Sequence, residues 1–123
     1  MERIETLSKN QIFVFGSNEN GHHAGGAARQ ALDKFGARWG QAKGLQGQSY
    51  AIATLDRDMR KVPPSYILEQ FIELNAFAGS NPDKEFLLTL IGCGIAGFRV
   101  TEIRDLCRLV RWNSNVRLPA EFV

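Results

Sequence analysis

The sequence predicts a single α/β domain over residues 1–123, with a mixed central sheet and helices on both of its faces. Two observations predict this fold class. Short, wholly apolar segments such as IFVF (12–15) and FLLTLI (86–91) are typical of strands that are buried on both faces. Segments with the apolar period of a helix alternate with these strands along the chain.

The elements follow in order from these patterns. In the first half of the chain we expect a strand at 12–15, a glycine-rich stretch at 16–26, a helix at 27–35, a loop at 36–48 and a strand at 50–54. In the second half we expect a polar loop at 55–64, a helix at 65–78, a strand at 86–91, a helix from 101 and a closing strand at 115–118.

Composition narrows the class of protein. Hydrophobic residues make up 44% of the chain and charged residues 23%, which is normal for a globular domain with a core. A net charge of +2 is too small to favour nucleic acid as a partner, and no apolar run is long enough to cross a membrane. The N-terminal segment MERIETLSKN does not resemble a secretory signal. We therefore expect a cytoplasmic protein with reduced cysteines, no metal site and no cofactor.

Two glycine-rich loops carry the functional prediction. GSNENGHHAGG (16–26) and GCGIAG (92–97) each follow an apolar strand and each lead into a helix. Ligands of open α/β sheets bind beyond the carboxyl ends of the strands, where helix N-termini present free main-chain N–H groups. Glycine lets the main chain approach a phosphate closely. The pair of loops predicts a diphosphate site, whereas either loop alone is explained as a tight turn.

GCGIAG also matches two other patterns. As G-x-G-x-x-G it fits a dinucleotide-binding turn, but that motif needs an acidic residue about 20 positions later, and the strand NVRL that follows has none. Cys93 and Arg99 have the spacing of a cysteine phosphatase loop. Gly92 stands where such enzymes usually carry histidine, and Val100 replaces the usual hydroxyl residue. Such an enzyme also needs a ring of main-chain amides, which residues 94–98 would supply, and an acid for the leaving group, which Asp56 or Asp58 would supply. Otherwise Cys93 only fills a tight turn.

Residues 11–118 resemble the macrodomain superfamily, in a short form. The segments that carry the resemblance are IFVFGSN, HHAGGAARQAL, SYAIAT and LIGCGIAGF. The pattern is also similar to short bacterial and phage-type proteins of macrodomain-like assignment. The resemblance implies a three-layer α/β/α fold that binds ADP-ribose or a related nucleotide, with Cys93 in place of a threonine of the second loop.

The resemblance and, for Asp56, a position beyond the carboxyl end of the second strand predict a set of ligand-binding residues. They are Gly16, Ser17, Asn18, His23, Gly25, Gly26, Ala27, Ala28, Asp56, Gly92, Cys93, Gly94, Ile95, Ala96, Gly97 and Phe98. Asn18 would hold a ribose hydroxyl or a water, or else it closes an Asx turn. Phe98 would contact the ribose or base, or else it belongs to the core. His23 would donate to a phosphate or ribose oxygen, or else it is a surface residue.

The resemblance leaves catalysis open. The catalytic lysine and aspartate of one macrodomain branch are absent, since Thr54-Leu55-Asp56 follows the middle strand and Ala96 takes the place of the aspartate. Glu5 falls near the position of the aspartate that reads adenine, without its flanking pattern. Candidates for catalysis are Asn18, Asp56 and Cys93, for an ADP-ribose hydrolase or a phosphatase. Alternatively, Asp56 would bind a ribose diol and Arg57 or Arg60 a phosphate, unless their loop is only solvated.

Overall fold

The computed structural model describes residues 2–123 and shows an α/β arrangement with a mixed five-stranded sheet. The strands are β1 (Gln11–Asn18), β2 (Gly44–Gln46), β3 (Ser49–Leu55), β4 (Glu85–Leu88) and β5 (Val116–Arg117). The helices of this part of the chain are α1 (Gly26–Lys34), α2 (Pro64–Gly79) and α3 (Val100–Cys107), followed by a 3-10 turn at Ala120–Phe122.

The strand order brings the two glycine-rich loops to the same edge of the sheet. The order is β2-β3-β1-β4-β5, with β1 at the centre. β1 pairs in parallel with β3 and with β4, and β4 pairs in parallel with β5, whereas β2 is antiparallel to β3. Because parallel neighbours end at the same edge, the segments that follow β1, β3 and β4 emerge side by side.

The core is divided by the sheet into two clusters. Phe13 and Phe15 of β1 pack with Ala31 of α1 in one cluster. Val14 between them belongs to the other cluster, which includes Phe71 of α2. Since successive side chains of a strand point to opposite faces, the side chains of β1 are buried in both clusters, as its wholly apolar segment predicted.

Two strand ends differ from the sequence prediction by three residues. β1 does not stop at Phe15 but continues to Asn18, because Gly16 and Ser17 still pair with β3. β4 is shorter than the apolar run 86–91: it ends at Leu88, and the Ile91 N–H donates to Thr89 O at 2.8 Å, which turns the chain into the loop. The end of this apolar run therefore lies in the loop that follows β4.

Residues 36–48 are not entirely loop, because they contain β2. This three-residue strand pairs with β3 from Gly44, opposite Ala51, to Gln46, opposite Ser49. It is an edge strand, and only its partner defines it.

Candidate functional site

Two loops enclose a cavity at the carboxyl edge of the sheet. Loop A (residues 19–25) joins β1 to α1, and loop B (residues 89–99) joins β4 to α3. The first cavity between them has a volume of about 170 Å³. The residues expected from the sequence that line it are Gly16, Ser17, Asn18, Gly25, Gly26, Ala27, Ala28, Gly92, Gly94, Ile95 and Ala96. The glycine-rich segments of both loops therefore face one shared space.

Main-chain N–H groups line both sides of this cavity. At the start of α1 the first helical bond is from Arg29 N to Gly25 O, at 3.2 Å. The N–H groups of 26–28 have no acceptor within residues 2–123. In loop B the amide of Phe98 donates to Gly92 O at 2.8 Å, but those of 94–96 have no acceptor in the same part of the chain. Three free donors thus lie on each side.

The two loops approach each other more closely than side chains would allow. A Cβ on Gly25 would lie 3.1 Å from the Ile95 side chain across the cavity. A Cβ on Gly16 would lie 3.3 Å from Gly92 N. Gly92 has a φ of 78°, in the left-handed region that favours glycine. Glycine at these positions therefore allows β1 and loop A to lie close to loop B.

A second cavity of about 640 Å³ adjoins the first. The two cavities share Gly25, Gly26, Ala27, Thr89 and Leu90 as lining residues. Beyond this shared wall the second cavity is lined by Glu2, Arg3, Ile4, Phe13, Arg29, Gln30, Asp33 and Lys34. Glu5 is not among them and pairs instead with Arg3 and Lys34. A groove therefore passes the N-terminus of α1 from one cavity into the other.

His23 is neither a surface residue nor a member of the cavity wall. Its side chain is completely buried. Nδ1 lies 2.7 Å from Ser17 Oγ, and Nε2 lies 3.0 Å from Gln46 Oε1. The predictions that His23 contacts the ligand or lies at the surface are therefore both wrong. Its buried ring instead connects loop A to Ser17 of β1 and Gln46 of β2.

Asn18 lines the first cavity, but its side chain is used within loop A. Oδ1 accepts the His22 N–H at 3.0 Å, and Nδ2 donates to His22 O at 2.9 Å. The structure therefore agrees with the turn-closing role that the sequence left open for this residue.

Three further residues from the expected set lie outside the first cavity. Asp56 Oδ1 accepts the N–H groups of Asp58 at 2.9 Å and Arg60 at 3.0 Å, so it closes its own turn. Phe98 is buried in the core, with Lys61 Nζ 5.0 Å from its ring centre. Gly97, which precedes it, is likewise absent from the lining.

Cys93 is directed away from the cavity and towards the core. Its Sγ lies 3.5 Å from Ile91 O, and burial, followed by the nearby Glu102 charge, raises the pKa of the thiol. The Arg99 side chain is 83% exposed and pairs with Glu102 at 3.3 Å. The main-chain N–H of Arg99 also donates to Glu102, which lowers the pKa of that carboxyl. The structure therefore does not bring together the reactive thiolate and the substrate-binding arginine that a cysteine phosphatase needs.

Other lining residues were not identified from the sequence. They are His22, Ala24, Thr54, Leu55, Met59, Thr89, Leu90 and Ile91. Thr54, Leu55 and the residues of 89–91 lie at strand ends, so the carboxyl-edge rule would have found them. No sequence signal distinguishes His22, which stacks on Trp39 with 4.8 Å between ring centres. Nor does any mark Met59, which is half exposed beside the cavity.

Comparison with protein-family models, with curated proteins and with solved structures finds no significant match. Within residues 2–123 no helix is long and apolar enough to cross a membrane. The same part of the chain holds no group of three or more histidine, cysteine or acidic residues placed to bind a metal ion.

Proposed function

We propose that this protein binds ADP-ribose or a related phosphorylated nucleotide between loops A and B, as a macrodomain-like domain of three α/β/α layers. One observation carries the proposal: two segments whose main-chain N–H groups have no acceptor within residues 2–123, 26–28 and 94–96, line one cavity. The resemblance of the sequence to macrodomains supports the same choice of ligand.

The donors suit a diphosphate better than other anions. Most of these N–H groups belong to exposed or half-buried residues that water can reach, and a ligand that supplies several oxygens would replace this water at both sets at once. The positive end of the α1 dipole adds to the attraction. No lysine or arginine belongs to the lining of the first cavity, so main-chain groups would bind the charge. Two adjacent phosphate groups match donors that approach from two sides.

The shape of the groove suits a nucleotide that extends from the diphosphate in both directions. The second cavity is the larger and contains apolar Ile4, Phe13 and Leu90, which offer contacts for a base. The first cavity would hold the terminal sugar. Ile95 and Met59, both more than half exposed at its mouth, would cover that sugar with apolar surface.

Calorimetry with ADP-ribose on the wild type and on Gly94→Glu tests the proposal. Nothing lies within 4 Å of a Cβ at Gly94, and its φ is outside the left-handed region, so the glutamate can be accommodated without strain. Its carboxylate would repel the diphosphate and weaken binding by more than about tenfold. Ala120→Glu adds the same charge at an exposed position outside both cavities and should bind normally. Absence of heat from the wild type at millimolar ligand would refute the proposal.

The structure favours binding over a cysteine-dependent phosphatase. Cys93 is held towards the core with a raised pKa, and Arg99 points to solvent. The hydrolase alternative has no free side chain either, since Asn18 and Asp56 are engaged within their own turns. Cys93→Ser should therefore bind ADP-ribose as the wild type does. Turnover of an aryl phosphate by the wild type and its loss in Cys93→Ser would reverse this choice.

A further inference from the structure

Three main-chain groups fix the orientation of the Gln46 side-chain amide. Its Oε1 receives the main-chain N–H of Arg38 at 2.8 Å, and its Nε2 lies 3.1 Å from Gln41 O and 3.3 Å from Gly44 O. A main-chain N–H can only donate and a carbonyl can only accept, so these three groups together fix which end of the amide is oxygen.

The fixed amide determines the tautomer of His23. Its Nε2 faces Gln46 Oε1 at 3.0 Å, and because that oxygen only accepts, Nε2 carries the proton. In the neutral ring Nδ1 is then the acceptor, and Ser17 Oγ must donate to it across 2.7 Å. The ring is completely buried, its edge packs on Phe15, and both hydrogen-bond partners are uncharged.

The hydroxyl of Ser17 therefore offers the first cavity only its lone pairs. A serine has one proton, and this proton is used by His23. The two other hydroxyl residues of the lining behave in the same way: Thr54 Oγ1 donates to Ser17 O at 3.0 Å and Thr89 Oγ1 to Val14 O at 2.8 Å. Main-chain N–H groups supply donors to the cavity, while these hydroxyls supply acceptors.

We propose that Ser17, held as a fixed acceptor by His23 and Gln46, selects ligands with a sugar hydroxyl beyond the diphosphate and rejects ligands with a third phosphate there. This rests on the proposed function, and it assigns the terminal group that the site reads. Ser17 lines the first cavity and not the second. A hydroxyl can donate to an acceptor, whereas a phosphate oxygen would meet lone pair against lone pair. Nucleoside diphosphate sugars are the predicted ligand class.

ADP-ribose and ATP, titrated without Mg²⁺, form the test pair, because they share adenosine diphosphate and differ in the next group. The wild type should prefer ADP-ribose. Ser17→Ala should weaken ADP-ribose binding by about tenfold, the loss of one hydrogen bond, and leave ATP unchanged or slightly tighter. Ser49→Ala is the matched control: Ser49 is another buried serine of the sheet and donates to Gln46 O at 2.7 Å, but it does not line either cavity. It should keep the preference of the wild type.

His23→Phe tests the positioning role separately from the hydroxyl. The variant keeps a ring beside Phe15 but frees the Ser17 proton, so the ratio of ADP-ribose to ATP affinity should fall although Ser17 is intact. A purely structural role would weaken both ligands equally. Nitrogen-15 NMR of the unliganded wild type should show the His23 proton on Nε2 and none on Nδ1.

The outcomes separate the two proposals. If the wild type binds neither nucleotide, the proposed function fails and the selection fails with it. If ADP-ribose binds but Ser17→Ala leaves the affinity ratio unchanged, only the role of Ser17 is overturned. A proton on His23 Nδ1 would also overturn it, because Ser17 would then be an acceptor for the ring and a donor to the cavity.

Discussion

The sharpest prediction for the architecture of loop B compares two identical substitutions, Gly92→Ala and Gly94→Ala. Both add one methyl group to the same loop, two residues apart. At Gly92 the added carbon would lie 3.1 Å from the Phe98 ring and 3.4 Å from the Ile103 side chain, with φ at 78°. At Gly94 it would meet open space with an ordinary φ. We therefore expect effects of opposite sign on the free energy of unfolding.

The magnitudes follow from these two environments. At Gly92 a left-handed backbone costs a residue with a Cβ ~1–2 kcal/mol, and crowding against a packed core adds ~1–3 kcal/mol. The lower entropy of unfolded alanine returns ~0.4–1 kcal/mol, which leaves a net loss of about 2–3 kcal/mol. At Gly94 only the entropy gain applies, so stability should rise by up to ~1 kcal/mol. The two variants should differ by about 3 kcal/mol.

Urea unfolding followed by tryptophan fluorescence measures this difference. With a typical slope of ~2 kcal/mol per molar urea, the two midpoints should lie about 1.5 M apart on either side of the wild type. Equal midpoints for both variants would mean that Gly92 does not adopt the left-handed turn against Phe98. The account of how loop B is held beside loop A would then be wrong.

Two further predictions concern the sheet. Gln70 is buried, and its side chain forms hydrogen bonds of 2.7 and 2.8 Å with both main-chain groups of Ala53, where β2 no longer pairs with β3. Gln70→Ala should lower the free energy of unfolding in urea by about 2–4 kcal/mol. A loss below ~1 kcal/mol would contradict this role. Hydrogen bonds from Gln11 and then Arg117 lower the pKa of Glu85, so its contribution is present above the ordinary carboxyl pKa and is lost as pH falls through the lowered value. Glu85→Gln should therefore be less stable than the wild type by up to ~1 kcal/mol near neutral pH and nearly equal to it near pH 3, whereas a difference that does not depend on pH would exclude this linkage.

The sequence was sufficient for the parts of the fold that bury apolar surface. Strands β1, β3 and β4 were found because an apolar run between turn residues is typical of a strand covered on both faces. β2 was missed because Gly-Leu-Gln has no strand pattern of its own. It forms only because β3 presents an open edge at Ser49–Ala51, and a pairing partner cannot be read from three residues.

The candidate site was predictable in its position but not in its side chains. Both glycine-rich loops follow strands that turned out to be parallel neighbours, so their proximity follows from the carboxyl-edge rule. Of the two adjacent histidines, sequence reasoning chose His23 as a ligand contact, whereas His22 lines the cavity. The reason lies in the tertiary structure. Gln46, on the strand β2 that the sequence did not predict, forms a hydrogen bond with His23 in the interior, whereas His22 stays outside.

The ambiguity of GCGIAG has a physical origin. Dinucleotide-binding turns, phosphatase loops and macrodomain loops all bind phosphate with main-chain N–H groups, and glycine at the narrow points serves this in each case. In such loops the glycines therefore indicate that an anion is bound and not which reaction it undergoes.

The three kinds of loop differ in the side chain that lies beside the amides. In loop B this is neither a reactive thiol nor an arginine, because Cys93 faces the core and Arg99 faces solvent. On the opposite wall Ser17 has its proton committed to His23. We therefore propose that this cavity holds a phosphorylated sugar, with main-chain amides as its donors and hydroxyls as its acceptors.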